Sequence, residues 1–165
     1  MTAIRLEEST DWPAIYAIYE AAFAQTAEAD LVRNMESDGD LILSLVAYES
    51  EPAGHIAYSH LVLHETPSIR GCVLAPLAVS PAFQNRGVGT ALVRHGLQRL
   101  MDDGFDLVVV LGEPSYYGRF GFDPKLAETL KTPYDGPYLQ ALALSENGKR
   151  AQGPVAYARA FAELK

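Results

Sequence analysis

Residues 77–94, Leu-Ala-Val-Ser-Pro-Ala-Phe-Gln-Asn-Arg-Gly-Val-Gly-Thr-Ala-Leu-Val-Arg, constrain the fold more than any other stretch, because they join an apolar strand to a helix through a glycine-bearing turn. Ser80 and Pro81 end the strand, and Gly87 and Gly89 remove side chains where a ligand must approach the backbone. The helix that follows opens with unpaired N–H groups at its positive dipole end. This is an anion site, and a phosphate or pyrophosphate is its natural occupant. The helix, residues 89–101, turns Leu92, Val93, Leu97 and Leu100 to one face and stops at Asp102-Asp103-Gly104. The run Leu107–Leu111 then reads as a buried strand, parallel to the strand over residues 73–79 by the right-handed crossover rule. Residues 73–111 therefore form one βαβ unit. Pro76 interrupts its first strand without a ladder donor, which predicts a bulge or a splayed strand at that point.

Around this unit the pattern is shorter-ranged. Residues 4–6 read as a strand, and Thr10 or Asp11 caps a helix with Pro13 in its first turn and Ile15, Ile18, Tyr19 and Phe23 at helical spacing. A second helix over residues 27–36 ends at the turn around Gly39. Residues 41–49 and 55–64 read as the two strands of a hairpin joined by residues 50–54. Beyond the βαβ unit, residues 116–120 make one or two helical turns. Residues 138–144 and 155–157 are expected to pair across the Ser-Glu-Asn-Gly turn, followed by a short helix from Ala158.

A chain of 165 residues without linker, repeat or low-complexity tract reads as one domain, residues 1–165. Its net charge of −8, with 13 scattered Lys and Arg residues, argues against a nucleic-acid surface and favours a small ligand. The acidic body would also attract a cationic substrate such as an amine. The single cysteine, Cys72, has no disulfide partner and reads as a small buried residue. No apolar run approaches the roughly 20 residues needed to cross a bilayer, and the N-terminus lacks the features of a signal peptide, so a cytoplasmic protein is expected. No His, Cys or carboxylate cluster has metal-ligand spacing, so no metal is expected.

Three phosphate-binding patterns compete for the glycine turn. A P-loop needs a lysine and then a hydroxyl residue after its last glycine, whereas Gly89 is followed by Thr90 and Ala91. A dinucleotide fingerprint needs glycine or alanine where Leu92 stands. The third fits. Gln84-Asn85-Arg86-Gly87-Val88-Gly89, preceded by Leu77, Ala78 and Val79, resembles the coenzyme A motif of the GNAT N-acetyltransferase superfamily. Tyr117-Gly118-Arg119-Phe120-Gly121-Phe122 is similar to the tyrosine, three residues and Gly-Phe of the same family, at the expected place after the next strand. With residues 111–122 and the tail Gly-Pro-Val-Ala-Tyr at 153–157, the chain most resembles a bacterial subgroup of predicted N-acetyltransferases.

The resemblance implies a single-domain acyl-CoA N-acyltransferase fold: an α/β (α+β) chain with a mixed, mostly antiparallel sheet splayed between its fourth and fifth strands and flanked by helices. It implies acetyl-CoA as co-substrate and direct attack by a primary amine in a ternary complex. The acceptor would be a small-molecule amine, a protein N-terminus or a lysine, and a homodimer is compatible with the pattern. The backbone from Gln84 through Asn85, Arg86, Gly87, Val88, Gly89 and Thr90 would cradle the pyrophosphate, with the Arg86 guanidinium beside it. The strand edge Leu77, Ala78 and Val79 would pair with the pantetheine amides, and the Val79 amide would steady the oxyanion. Tyr117 would protonate the departing thiolate. The asparagine common upstream of this tyrosine is absent, Val110 and Glu113 occupying that vicinity, which leaves the coenzyme contact from that position without a residue. For the general base, Glu113, His55, His60 and a water relay all stay open. A non-enzymatic acyl-CoA sensor with the same cleft is the alternative to an enzyme.

Overall fold

The computed structural model describes residues 2–164. In chain order the main elements are β1 (Ala3–Leu6), α1 (Trp12–Phe23), α2 (Ala27–Asp38), β2 (Leu41–Tyr48), β3 (Pro52–Leu63), β4 (Gly71–Val79), α3 (Val88–Asp102), β5 (Leu107–Leu111), α4 (Pro114–Tyr117), α5 (Pro124–Ala127), β6 (Leu130–Lys131), β7 (Leu139–Ala143) and β8 (Gly153–Tyr157). The strand order is β1-β2-β3-β4-β5-β7, with β8 paired to β3 and β6 to β8. Pairs β1–β2, β3–β8 and β5–β7 are antiparallel, whereas β4–β5 and β6–β8 are parallel. This is the mixed, mostly antiparallel sheet with flanking helices that the sequence led us to expect. The chain divides into two compact units: one comprises the chain up to Tyr58, Pro76–Gln98 and the tail from Arg159, and the other comprises Ser59–Ala75 and Arg99–Ala158.

The βαβ unit has the predicted connectivity. The β4–β5 ladder is short, Gly71↔Leu107, Cys72↔Val108 and Val73↔Val109, and it ends three residues before Pro76 although β4 continues to Val79. The proline has no N–H to offer a neighbouring strand. Helix α3 buries Val88, Leu92, Val93, Leu97 and Leu100, the i, i+4, i+5 pattern of an amphipathic helix. Two glycines fix how closely strand and helix pack. A Cβ on Gly54 of β3 would lie 3.0 Å from the Ala78 carbonyl and from Leu92, and one on Gly96 would meet the Tyr58 ring at 2.5 Å.

The C-terminal pairing differs from the sequence expectation. β7 pairs with β5, Val110 opposite Gln140, and β8 pairs with β3, Leu61 opposite Tyr157. Burial explains the choice: β5 is buried from Leu107 to Val110 and needs a partner as covered as itself, which the buried Leu139, Gln140 and Ala141 supply. The turn Asn147–Arg150 then leads the chain away. Gly148 sits so close to the Asp106 carbonyl that a Cβ has no room, and the Ser145 hydroxyl donates to the Asp106 carboxylate at 2.7 Å. The expected final helix is a 3-10 stretch, Arg159–Glu163, where Arg159 donates to Asp38 at 2.7 and 3.1 Å.

Within the first unit, polar groups are buried in two connected sets. Asp11 precedes α1, but its carboxylate turns away from the helix N–H groups. It accepts from the Arg5 guanidinium at 2.7 and 2.8 Å, from the Tyr48 hydroxyl at 2.8 Å and from the Glu8 amide at 2.7 Å. Arg5 holds this carboxyl well below the usual range. The second set runs from the fully buried Tyr19 hydroxyl, 2.7 Å from His55 Nδ1, through His55 Nε2, 2.8 Å from Ser44 Oγ, to Glu7, which accepts from Ser44 at 2.6 Å. Burial pushes His55 down to about 3 and keeps the ring neutral. Burial, reinforced by the Glu36 carboxyl and opposed by the Ser44 hydroxyl, pushes Glu7 up from 4.5 to about 7.

A raised carboxyl pKa in the folded state favours the protonated form. The stability it allows is fully present below about pH 4.5 and is lost as the pH rises through about 7. Glu7→Gln keeps an acceptor for Ser44 and removes the titration. Urea unfolding at pH 8 should show the variant more stable by about 1 kcal/mol, the half-exposed position limiting the effect. It should also show a flatter stability profile between pH 4.5 and 7, and identical profiles in the two proteins would contradict this assignment.

Candidate active site

In the first unit, the glycine turn is built as an amide cradle. Ser80 N–H bonds to the Ala53 carbonyl at 2.8 Å, ending β4 against β3, and Pro81–Phe83 makes one 3-10 turn that buries the Phe83 ring. Gln84 then reaches back, its Nε2 donating to the Val79 carbonyl at 2.9 Å, so the turn is latched to the strand end. Asn85 and Gly87 both take left-handed conformations, φ 62° and 84°, with Arg86 between them. Alternating backbone handedness of this kind turns successive N–H groups toward one point and makes a nest for an anion. At the start of α3 the Ala91 N–H bonds to the Gly87 carbonyl at 2.9 Å, and the opening amides of a helix point toward its N-terminal end, where an anion can take them. A Cβ at Gly87 would touch nothing within 4 Å, so glycine is needed there for its φ. Gln84, Asn85, Arg86 and Gly87 are exposed, Gly89 and Thr90 are half-buried, and the Arg86 guanidinium lies 5.8 Å from the Phe83 ring centroid. On the strand, Leu77 and Val79 are half-exposed and Ala78 is buried.

In the second unit, β5 ends at the exposed Leu111, and Gly112 N–H bonds to the Tyr138 carbonyl at 3.0 Å. Glu113 caps α4 with its backbone: its carbonyl accepts from the amides of Tyr116 and Tyr117, both at 3.0 Å, while its side chain is exposed. Tyr117 is half-buried in an aromatic cluster, edge-on to Tyr116 at 4.9 Å and to Phe122 at 5.8 Å between centroids. Gly121, at φ 100°, makes the turn that returns Phe122 to the ring. Burial, with a smaller effect from Tyr116, pushes the Tyr117 phenol up to about 12. At neutral pH it keeps its proton and is a donor.

The remaining candidates have structural surroundings. Both ring nitrogens of His55 are occupied by Tyr19 and Ser44, so no nitrogen is left to take a substrate proton. His60 is exposed on β3. Cys72 is fully buried with its thiol 3.7 Å from the Leu107 carbonyl, and burial pushes that thiol up, as expected of an inert residue. Among the described residues no His, Cys or carboxylate group of three could hold a metal, and no helix is long and apolar enough to cross a membrane. The sequence assigns Gln140 no role, because residues 138–144 read only as one strand paired with residues 155–157. Its burial follows from β7 lying in a covered part of the sheet, which no local signal announces.

Comparison with known proteins identifies the family. The model of the acetyltransferase (GNAT) family matches residues 7–122. The N-acetyltransferase YhbS of Escherichia coli strain K12 is 36% identical over 135 residues, covering 81% of this chain and 80% of its own. A crystal structure of Escherichia coli YhbS in complex with CoA superposes with a TM-score of 0.89 at 32% identity, over 98% of this chain and 92% of that one. A GNAT family acetyltransferase from Brucella melitensis in complex with acetyl-CoA superposes with a TM-score of 0.82 at 34% identity, over 98% of both chains. With the family model matching residues 7–122 and relatives of this similarity across most of its length, the chain belongs to the GNAT acetyltransferase family.

Proposed function

We propose that the protein transfers the acetyl group of acetyl-CoA to a primary amine by direct attack in a ternary complex. The observation that carries this reading is the latched turn of residues 84–89, whose left-handed Asn85 and Gly87 and position at the start of α3 suit a pyrophosphate. It is supported by the relatives crystallised with CoA and acetyl-CoA. The amides from Asn85 to Thr90 bind the pyrophosphate, Arg86 adds charge at its edge, and Leu77, Ala78 and Val79 hold the pantetheine arm. In this reading the cradle binds the coenzyme and does not touch the reacting carbonyl.

In the reaction the neutral amine nitrogen attacks the thioester carbonyl, and the Val79 N–H donates to the oxyanion that forms. As the C–S bond breaks, Tyr117 gives its proton to the departing thiolate and regains one from solvent. The ammonium proton leaves to Glu113, His60 or water. The acceptor is a small-molecule amine, a protein N-terminus or a lysine, and the chain's net charge of −8 favours a cationic one.

Thiol release should be followed with acetyl-CoA and a panel of amines. Coenzyme binding without turnover on any of them would favour an acyl-CoA sensor over an enzyme. With the best amine, Tyr117→Phe should lower kcat by about 10²-fold and leave the KM for acetyl-CoA within about twofold. Because the phenol keeps its proton up to about 12, the wild-type rate should rise with pH as the amine deprotonates, without an alkaline limb below pH 10. Unchanged turnover in Tyr117→Phe would remove that residue from the mechanism. Gly87→Glu forces a left-handed φ on a side chain and sets a carboxylate beside the cradle, so calorimetry should find coenzyme affinity reduced by at least about 10²-fold. Retained affinity would exclude the turn as the pyrophosphate site.

A further inference from the structure

Gln140 is a fully buried polar residue in the middle of β7 for which the reaction above has no use. It stands opposite Val110 of β5, and its Nε2 donates to the Gly112 carbonyl at 3.0 Å. A carbonyl accepts only, so the amide NH2 must face Gly112, and this fixes the side-chain orientation. Its Oε1 is then buried with no partner among the described residues. Keeping an amide here costs stability that an apolar side chain of the same volume would not.

What the amide holds is the base on which Tyr117 rests. A Cβ on Gly112 would lie 2.5 Å from Tyr117 Cε2 and 2.9 Å from Cδ2, so the tyrosine ring lies directly on the bare Cα. The backbone of Tyr117 hangs from the next residue, its N–H donating to the Glu113 carbonyl at 3.0 Å. Gly112 N–H is fixed by the Tyr138 carbonyl at 3.0 Å, and its C=O by Gln140. Ring and backbone of Tyr117 thus both refer to the segment Gly112–Glu113, whose Gly112 is clamped at its N–H by Tyr138 and at its C=O by Gln140.

We infer that Gln140 is a positioning residue for acetyl transfer, clamping the Gly112 carbonyl so that the Tyr117 hydroxyl is aimed at the departing sulfur. The inference rests on the reading of Tyr117 as the acid. Glycine at 112 is part of the same device, because only a bare Cα lets the ring settle on the clamped peptide. Misaiming a proton donor by a fraction of an ångström slows the chemical step without weakening coenzyme binding.

Gln140→Met, Tyr117→Phe and the double variant should be assayed for thiol release with acetyl-CoA and the best amine, and for coenzyme A affinity by calorimetry. Gln140→Met should lose about tenfold in kcat with the KM for acetyl-CoA within about twofold, and the double variant should be no slower than Tyr117→Phe alone. A slow Tyr117→Phe beside a Gln140→Met of full turnover, or losses that multiply in the double variant, overturns the role of Gln140 alone. Full turnover in Tyr117→Phe overturns the tyrosine reading and the positioning role with it. Gln140→Glu decides the matter should the methionine variant lose coenzyme binding. Its carboxyl donates only when protonated, so its kcat relative to wild type should recover as the pH falls, and a ratio of one at every pH contradicts the clamp.

Discussion

The three-residue parallel ladder between β4 and β5 is the constraint on which the functional elements depend. It is long enough to hold the two strands in register after the α3 crossover, and it stops at Val73 while β4 runs on through Pro76 to Val79. A parallel pair shares slanted bonds along its length, so ending it early leaves strand backbone that no β5 residue satisfies. Proline at 76 cannot restore a ladder donor at its own position. Ser80 N–H on the Ala53 carbonyl anchors the far end of the segment 77–79, the edge proposed above for the pantetheine arm.

The proposed anion binding at the following turn rests on backbone geometry more than on charge. The left-handed Asn85 and Gly87 aim amides, Gln84 holds the turn to the strand it leaves, and the buried Phe83 and Val88 seat the turn in the core on either side. The body of the protein is acidic, so attraction for a polyanionic coenzyme is local, short-ranged and made by oriented dipoles.

Desolvation sets the protonation states that matter. It keeps the Tyr117 phenol protonated as a donor, keeps His55 neutral inside a closed hydrogen-bonded set, and raises Glu7 toward neutrality beside Glu36. The same force has opposite consequences for function. A partly buried phenol whose burial raises its pKa keeps a transferable proton, whereas a histidine with both nitrogens occupied has nothing to exchange.

Much of the candidate site was legible in the chain itself. The strand, glycine turn and helix of residues 77–101, the buried run Leu107–Leu111 and the Tyr117 to Phe122 motif are local patterns, written in turn chemistry and periodicity that need no distant partner. The extent of the helices and the parallel crossover followed from the same signals. What the tertiary structure alone decided is whatever depends on which surface meets which. β7 lies against β5 and β8 against β3, although residues 138–144 and 155–157 look like a hairpin, because β5 demands a fully buried neighbour. The same packing turned His55 from a candidate base into a structural residue, drew Asp11 from its helix cap to Arg5, and buried Gln140 behind Gly112. Desolvation and hydrogen-bond satisfaction are properties of assembled neighbours, and a linear pattern carries neither.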